Sequence, residues 1–312
     1  MGIEWNTLKF LLACRQAGVH FTHTLTLGRQ TLFVGLPSIR MLFKRYGALP
    51  PEFGEILEKG GNYAEGIFKL LGAEEVTSID KSDFEGASVV HDMNVPLPME
   101  HNSRYEFVFD GGTLEHIFHF PIALRSSMEA VKIGGHLLLH TPANNYCGHG
   151  FYQLSPELYY RALSNQNGFE IVRMIAFEAV PGAKWYDVVD PAIARQRVEI
   201  AHGKQRVLLL VLAKRVRETE IFKTAPQQSD YFTQWNVRNK SLPDAERSAF
   251  AGLRNAWSDG RLAPFVQRCL LNVMRSNGMI HMHASRLSAS IWSRNRHLSM
   301  KAQSHLFHPT ER

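Results

Sequence analysis

Three aspartates stand where short apolar runs of this sequence end, and their carboxylates could bind one ligand. They are Asp80, Asp92 and Asp110. In a nucleotide-binding α/β sheet, a carboxylate at the end of the second strand is placed to accept hydrogen bonds from both ribose hydroxyls. A carboxylate after the third strand can accept one from an adenine amino group. Any one of them could simply cap a turn, but the three together favour a shared ligand.

The last of these aspartates lies in the stretch 105–145, around which the other elements are organised. An apolar run over 107–109 ends at Asp110 and two glycines, as a buried strand does where it enters a loop. Apolar residues at helical spacing follow Pro121, and a Gly-Gly pair then precedes a second apolar run over 136–140. The pattern predicts a strand–helix–strand unit. Ligands of such sheets bind outside the carboxyl ends of the strands.

The same alternation extends over most of the chain and predicts an α/β fold with a doubly wound, mostly parallel, seven-stranded sheet. The other predicted strands are 23–27, 75–79, 87–90, 169–177 and 207–213. We assign residues 1–216 to this domain. A glycine- and proline-rich insertion at 31–61 is interpreted as lying over the sheet or forming a mobile lid. Residues 217–312 are predicted to be a basic, partly helical extension, with helices at 243–257 and 263–276.

The basic residues are concentrated near the end of the sequence. Segment 260–312 holds eight Lys or Arg and one acidic residue, whereas the remainder holds 27 basic and 28 acidic residues. We expect this segment to contact an anionic membrane surface or a protein partner. A nucleic-acid partner is not expected, because stacking aromatics are not interleaved with the basic residues. Three widely spaced cysteines and the lack of a membrane-length apolar run favour a cytoplasmic protein.

The motifs SID, VVHDMN, FVFDGGTLEH and KIGGHLLLHTPAN, in this order, resemble the class I S-adenosylmethionine-dependent methyltransferases over residues 23–216. The likeness is closest to the type 11-like subgroup reading GGTLEH and GHGFYQLSPELYY. It implies a Rossmann-like methyltransferase fold and S-adenosylmethionine as cofactor. The resemblance places Asp80 at the ribose and Asp92 with Met93 at the adenine. It places the loop of Asp110, Gly111, Gly112 and Thr113 beside the methionine part.

The first loop departs from the pattern of that family. The family has an acidic residue followed by G-x-G-x-G, so that the backbone can approach the cofactor closely. Here the loop reads LTLGRQ, with Gly28 as its one glycine and Arg29 where a small residue is expected. The neighbouring insertion could rebuild this wall of the site. The departure also supports an alternative, in which the chain has lost the reaction.

For methyl transfer, the chain needs to position an acceptor and remove its proton. The candidate bases are His149, His116 and His140, with Tyr152 as an orienting group. His149 is the leading candidate, because it lies between two glycines in a loop that follows the fifth predicted strand. His116, His140 and His119 show no carboxylate spacing that supports a metal site, and none is predicted.

Two functions of different class stay open. The first is a methyltransferase that acts on a small-molecule or glycan-like acceptor, which the acidic strand ends and GGTLEH favour. The second is a catalytically degenerate protein of the same fold that serves as a binding or assembly subunit, which the first loop favours. A nicotinamide-dependent oxidoreductase is disfavoured, because no G-x-G-x-x-G follows the first predicted strand.

Overall fold

A computed structural model describes residues 2–194, 197–198 and 205–231, which form an α/β fold. The strands are β1 (Gly2–Ile3), β2 (His23–Leu27), β3 (Thr31–Leu32), β4 (Glu75–Asp80), β5 (Val89–Val90), β6 (Tyr105–Asp110), β7 (Val131–Asn144), β8 (Phe169–Glu178), β9 (Tyr186–Asp187) and β10 (Val207–Arg215). The helices are α1 (Trp5–Gln16), α2 (Leu36–Arg45), α3 (Phe53–Gly60), α4 (Glu65–Leu71), α5 (Phe120–Ala130), α6 (Pro156–Ala162) and α7 (Pro191–Ala194). Short 3₁₀ turns cover Met99–His101, Leu114–His116 and Asn165–Asn167.

The main sheet has the strand order β5-β4-β2-β6-β7-β10-β8-β9. The first five strands in this order are parallel, and β10 runs antiparallel between β7 and β8. Phe109 pairs with Leu138 in the parallel sense at the centre of the sheet. All seven predicted strands are present, and the two-residue β9 adds an eighth at one edge. The predicted fold class is confirmed.

Alternate residues of the central strands enter two hydrophobic cores on opposite faces of the sheet. Leu138 and Leu210 belong to the core that contains α1 to α4, whereas Leu139 and Leu209 belong to the core that contains α5 and α6. Burial on both faces explains why β7 and β10 read as nearly continuous apolar runs. Within the described residues, no helix combines the length and the apolar character that crossing a membrane requires.

The stretch 31–61 is folded onto the sheet. It forms β3, α2 and α3, and β3 pairs in parallel with β1. Phe43 and Phe53 are buried in the first core with their ring centres 5.6 Å apart. Of the two interpretations made from the sequence, the structure fits a segment lying over the sheet.

Several element boundaries differ from the sequence predictions. The helix α5 ends at Ala130 and β7 begins at Val131, so the Gly-Gly pair lies inside the strand instead of ending the helix. A Cβ on Gly135 would lie 2.8 Å from the Glu106 carbonyl oxygen, so a glycine permits the close approach of the two strands. The two described cysteines, Cys14 and Cys147, are free thiols.

The chain beyond residue 216 continues on the α/β domain as far as it is described. Ile221 is buried in the second core, and the Phe222 N–H donates to Asn167 Oδ1 at 3.0 Å. The predicted helices 243–257 and 263–276, and the basic segment 260–312, lie outside the described residues.

Candidate functional site

The loops that follow β2, β4 and β6 meet at the carboxyl edge of the sheet. The chain leads away from β2 in opposite directions, first to β4 and later to β6, and ligands of doubly wound sheets bind at such a switch point. Leu27 pairs in register with Asp110, and the Gly28 N–H donates to the Ile79 carbonyl oxygen at 2.6 Å. The structure therefore brings Gly28, Asp80 and Asp110 together. We call the space between the loops 28–30 and 110–113 the switch-point crevice.

Two side chains of the protein itself fill the switch-point crevice. The Thr113 hydroxyl donates to the Leu27 carbonyl oxygen at 2.7 Å, and the buried carboxamide of Gln30 donates to the same oxygen. A Cβ on Gly28 would lie 2.9 Å from Thr113 Oγ1, and one on Gly111 would lie 2.1 Å from Gln30 Oε1. The backbone of both glycines is therefore covered by protein atoms.

Arg29 joins the first loop to two neighbouring segments. Its Nε donates to Glu65 Oε1 at 2.6 Å, and a terminal guanidinium nitrogen donates to the Glu85 carbonyl oxygen at 2.7 Å. The guanidinium carbon lies 4.0 Å from the centre of the Tyr63 ring. These contacts hold the loop after β4 against the start of α4. They give a structural role to an arginine where the family pattern has a small residue.

Asp80 ends β4 with a partly buried carboxylate that makes no hydrogen bond or ion pair to any residue the structure describes. Its Oδ2 would lie 3.7 Å from a Cβ on Gly28, so the carboxylate is close to the first loop. An incoming ligand can therefore hydrogen-bond to Asp80 without displacing a protein partner.

The Asp92 carboxylate accepts hydrogen bonds within its own turn. Its Oδ1 accepts from the backbone and side-chain nitrogens of Asn94 at 2.9 and 2.7 Å, and Oδ2 lies 3.1 Å from Lys81 Nζ. The hydrogen bonds from Asn94, then that from Lys81, lower the pKa of Asp92 to about 2. The next residue, Met93, is buried in the second core. Both predicted adenine contacts thus have structural roles as well.

Asp110 is fully buried at the end of β6. Its Oδ1 accepts from the backbone N–H groups of Gly112, Thr113 and Leu114 at 3.2, 2.8 and 3.4 Å, whereas Oδ2 accepts no hydrogen bond within the described ranges. Burial raises the pKa of this carboxyl above its usual range. Gly112 has φ of +101°, which other residues rarely adopt. Asp110 therefore shapes the loop and retains one oxygen without a partner.

Beside this loop, a buried carboxylate meets two imidazoles. Glu115 is fully buried, and neither of its oxygens accepts a hydrogen bond from the part of the chain that the structure describes. Its Oε1 lies 3.5 Å from His149 Nε2 and 4.0 Å from His116 Nε2. The two histidine rings have centres 4.9 Å apart. Burial, then the Asp110 charge, raises the pKa of Glu115, and burial lowers the pKa of both histidines.

The loop 144–152 is held to the Leu114–His116 turn through one carbonyl group. The Glu115 carbonyl oxygen accepts from the N–H groups of Phe151 at 2.8 Å and Tyr152 at 3.3 Å. Gly150 has φ of +79°, and a Cβ there would lie 2.8 Å from the same oxygen. The Tyr152 hydroxyl donates to the Phe118 carbonyl oxygen at 2.7 Å, so this group fixes the loop.

His140, another candidate base, lies away from any exposed surface. It is 1% exposed, its Nδ1 lies 3.3 Å from Thr7 Oγ1 at the start of α1, and its ring stacks near Phe177. Burial lowers its pKa to about 3. Of the three predicted bases, the structure brings His116 and His149 together at the carboxyl edge and covers His140 with α1.

Two residues of this region, Glu115 and Gln30, were not singled out from the sequence. Glu115 lies inside the GGTLEH motif, directly before His116, so the sequence alone could have indicated a carboxylate beside this histidine. Gln30 ends the quoted LTLGRQ loop, but nothing in the sequence indicates that its carboxamide turns back onto Gly111. Thr113, which the resemblance places beside the methionine part, donates its hydroxyl to the backbone of β2.

Comparisons with known proteins find similarity only among solved structures, at low sequence identity. No family model matches the chain, and no curated protein matches it. Similar solved structures include an S-adenosylmethionine-dependent methyltransferase from Mesorhizobium loti, which is 16% identical with a TM-score of 0.35. The match covers 68% of this chain and 97% of that one.

Two further solved structures are similar to this chain. A 16S rRNA (adenine(1408)-N(1))-methyltransferase from Catenulisporales acidiphilia is 10% identical with a TM-score of 0.34, over 70% of this chain and 96% of that one. The branched-chain polyamine synthase from Thermus thermophilus is 13% identical with a TM-score of 0.34, over 71% of this chain. The chain spans 60% of the length of that synthase. At such identities the likeness concerns the fold, so function must be inferred from the residues of the site.

Proposed function

We propose that this protein is an S-adenosylmethionine-dependent methyltransferase that binds the cofactor's ribose at Asp80. The observation that carries the proposal is the carboxylate of Asp80, which is partly buried, has no partner among the described residues and lies near Gly28. A carboxylate at this strand end suits the two ribose hydroxyls. The segment of Asp92 and Met93 would contact the adenine, and the loop 110–113 would flank the methionine part.

Bound S-adenosylmethionine supplies a methyl group already activated by its sulfonium. The chain must then position an acceptor and remove its proton. His149 and His116 are partly exposed, so we assign the removal of the proton to one of them, whereas His140 is buried. The exposed ring of Phe151 offers an apolar surface beside them. We assign the acceptor, a small molecule or a glycan-like group, to the side of the loop 144–152.

A second candidate function is that of a non-catalytic binding or assembly subunit, and Gln30 favours it. Its carboxamide lies against Gly111, in the space where the methionine part is expected. Cofactor binding at this end of the crevice requires Gln30 to move and to give up its hydrogen bond to the Leu27 carbonyl oxygen. A protein that no longer uses the cofactor could retain such a side chain permanently.

Calorimetric titration of the purified full chain with S-adenosylmethionine tests the proposal. We expect the wild type to bind and Asp80→Ala to bind more weakly by about 1.5–3 kcal/mol, the usual range for hydrogen bonds to a charged group. Asp83→Ala is the matched control, because Asp83 is an exposed aspartate in the loop after β4. Its binding should equal that of the wild type.

The same titration distinguishes the two candidate functions. Equal binding by Asp80→Ala and the wild type would contradict the proposed ribose site. If neither the wild type nor Gln30→Ala binds, the methyltransferase proposal is wrong and the second candidate is supported. If Gln30→Ala binds and the wild type does not, Gln30 keeps the crevice closed, which also supports the second candidate.

A further inference from the structure

We propose that Glu115, His116 and His149 form a binding site for one divalent transition-metal ion. The three side chains come from two segments that the fold places in contact, the Leu114–His116 turn and the loop 144–152. Each offers one ligand atom, and these atoms all lie within 4.8 Å of one another. The site is separate from Asp80, and its ability to bind metal does not depend on the proposed function. A metal ion bound to both Nε2 atoms would replace the proton-accepting role of these histidines.

The distances are close to those a metal ion requires. A tetrahedral ion with bonds of about 2.0–2.1 Å to nitrogen and oxygen holds its ligand atoms about 3.3 Å apart. The Glu115–His149 pair, at 3.5 Å, is near that spacing already. The Glu115–His116 pair is wider, at 4.0 Å, and the His116 side chain is 45% exposed and can rotate inward.

The buried carboxylate is an independent observation that favours a cation between these groups. Glu115 is fully buried, and neither of its oxygens accepts a hydrogen bond from the described residues. His149 Nε2, which faces it, also has no hydrogen-bond partner. Buried charges are normally paired or coordinate a metal, because an isolated one is costly. A cation between these atoms would satisfy both groups.

The set of donors indicates which ions the site would take. Two imidazoles and one carboxylate suit Zn²⁺, Fe²⁺ and Co²⁺, whereas Mg²⁺ and Ca²⁺ prefer oxygen ligands alone. Three protein ligands leave at least one position for another molecule. The exposed rings of Phe118, two residues after the turn, and Phe151, in the loop, have centres 6.0 Å apart.

The backbone holds the two ligand-bearing segments together before any metal binds. The carbonyl oxygen of Glu115 accepts from the N–H groups of Phe151 and Tyr152, which follow His149 in the loop. Gly150 permits this approach, because a Cβ there would also lie 3.1 Å from His116 Nδ1. The site is therefore largely preformed, which lowers the cost of ordering the ligands on binding.

Titration of the EDTA-treated full chain with Zn²⁺ and Co²⁺, in the absence of S-adenosylmethionine, tests the proposal. We expect one high-affinity Zn²⁺ site and visible absorption from Co²⁺ bound at that site. His149→Ala and Glu115→Gln should each weaken this site by about 100-fold or more, since even the loss of an outer-shell partner costs 10–100-fold. His119→Ala is the matched control, because His119 is an exposed histidine of the next turn. It should bind as the wild type does.

The chain contains fifteen histidines, so other histidines can also bind Zn²⁺. The test is therefore whether the variants lose one Zn²⁺ site that the wild type has. If His149→Ala and Glu115→Gln bind Zn²⁺ with the stoichiometry and affinity of the wild type, the proposal is wrong. Circular dichroism distinguishes loss of a ligand from loss of folding in Glu115→Gln, and His149→Ala alters only a partly exposed loop residue. Titration of the EDTA-treated protein with S-adenosylmethionine separately shows whether the proposed function fails.

Discussion

Buried and partly buried carboxylates at the two edges of the main sheet differ in their hydrogen-bond partners. At the amino edge, Glu106 accepts from the His23 backbone N–H and imidazole at 2.9 and 3.0 Å, and also from Lys132. At the carboxyl edge, Asp80 has no partner among the described residues, and Asp110 Oδ2 and both Glu115 oxygens accept no hydrogen bond. The hydrogen bonds that Glu106 accepts outweigh the effect of burial on its pKa, whereas those that Asp110 accepts do not, and Glu115 accepts none from the described residues.

The pKa values follow this difference. For Glu106, burial raises the pKa, but the hydrogen bonds from Lys132 and His23 outweigh it and lower the value to about 2. For Asp110 and Glu115, burial prevails and the pKa values are raised. Paired carboxylates stabilise a fold, whereas unpaired buried ones are typical of functional sites. The amino edge is therefore structural, and the carboxyl edge is the place to look for ligands.

The largest expected effect is at Gly150, where two segments of the carboxyl edge touch. We expect Gly150→Ala to lower the free energy of unfolding by about 2–4 kcal/mol, because alanine would be strained at φ of +79° and its Cβ would meet the Glu115 carbonyl oxygen. Gly148→Ala is the control, since a Cβ there meets nothing within 4 Å. Urea unfolding of both variants measures the difference. Equal stabilities would show that the loop is not held against the turn.

The second-largest effect on the free energy of unfolding is expected at Glu106, on the amino edge. Glu106→Gln should lower the free energy of unfolding at pH 7 by about 1–3 kcal/mol, because the folded-state pKa is depressed from 4.5 to about 2. A carboxylate with a depressed pKa stabilises the fold above its unfolded pKa. This contribution is lost as the pH falls from about 4.3 towards 2. Urea unfolding at pH 7 and pH 3 should therefore show a smaller difference from the wild type at pH 3. A constant difference would exclude an ionic role.

At the carboxyl edge, by contrast, removing a carboxylate charge is expected to raise the free energy of unfolding. Asp110→Asn should raise the free energy of unfolding of metal-free protein at pH 7 by about 1–2 kcal/mol, because it removes a buried charge and retains the oxygen that accepts three N–H groups. A raised folded-state pKa favours the fold only at low pH, so the advantage of the variant should grow as the pH rises above about 3.9. Destabilisation at pH 7 would show that the Asp110 charge is compensated.

Much of this fold can be predicted from the sequence because its signals are local. The strand β2 was predicted with its observed bounds, and the helix α6 starts after Ser155, whose hydroxyl accepts from the Leu158 N–H at 3.3 Å. Predictions failed where a distant segment decides the outcome. The glycines before residue 136 look like a helix end, yet Gly135 faces the backbone of β6. Helix α3 was missed because a glycine stands near each of its ends.

The site could be predicted only in part for the same reason. Strand order alone brings Gly28, Asp80 and Asp110 to one edge, so their proximity follows from the βα alternation. The inward turn of Gln30 and the burial of His140 under α1 depend on contacts between residues far apart in the chain. The strand order therefore predicts that Gly28, Asp80 and Asp110 lie close together. It does not predict whether other side chains cover them and block a ligand.

The central claim is that one cofactor uses both Asp80 and the switch-point crevice that Gln30 fills. Calorimetric titration of the wild type, Asp80→Ala and Gln30→Ala with adenosine and with S-adenosylmethionine tests it most directly. We predict that Asp80→Ala weakens both ligands, because both carry the ribose. Gln30→Ala should strengthen S-adenosylmethionine alone, by about 1–3 kcal/mol, since only its methionine part displaces the buried carboxamide. Gln16→Ala, which removes an exposed glutamine at the far end of α1, should change neither affinity. Equal strengthening of both ligands by Gln30→Ala, or no effect of Asp80→Ala, would contradict the claim.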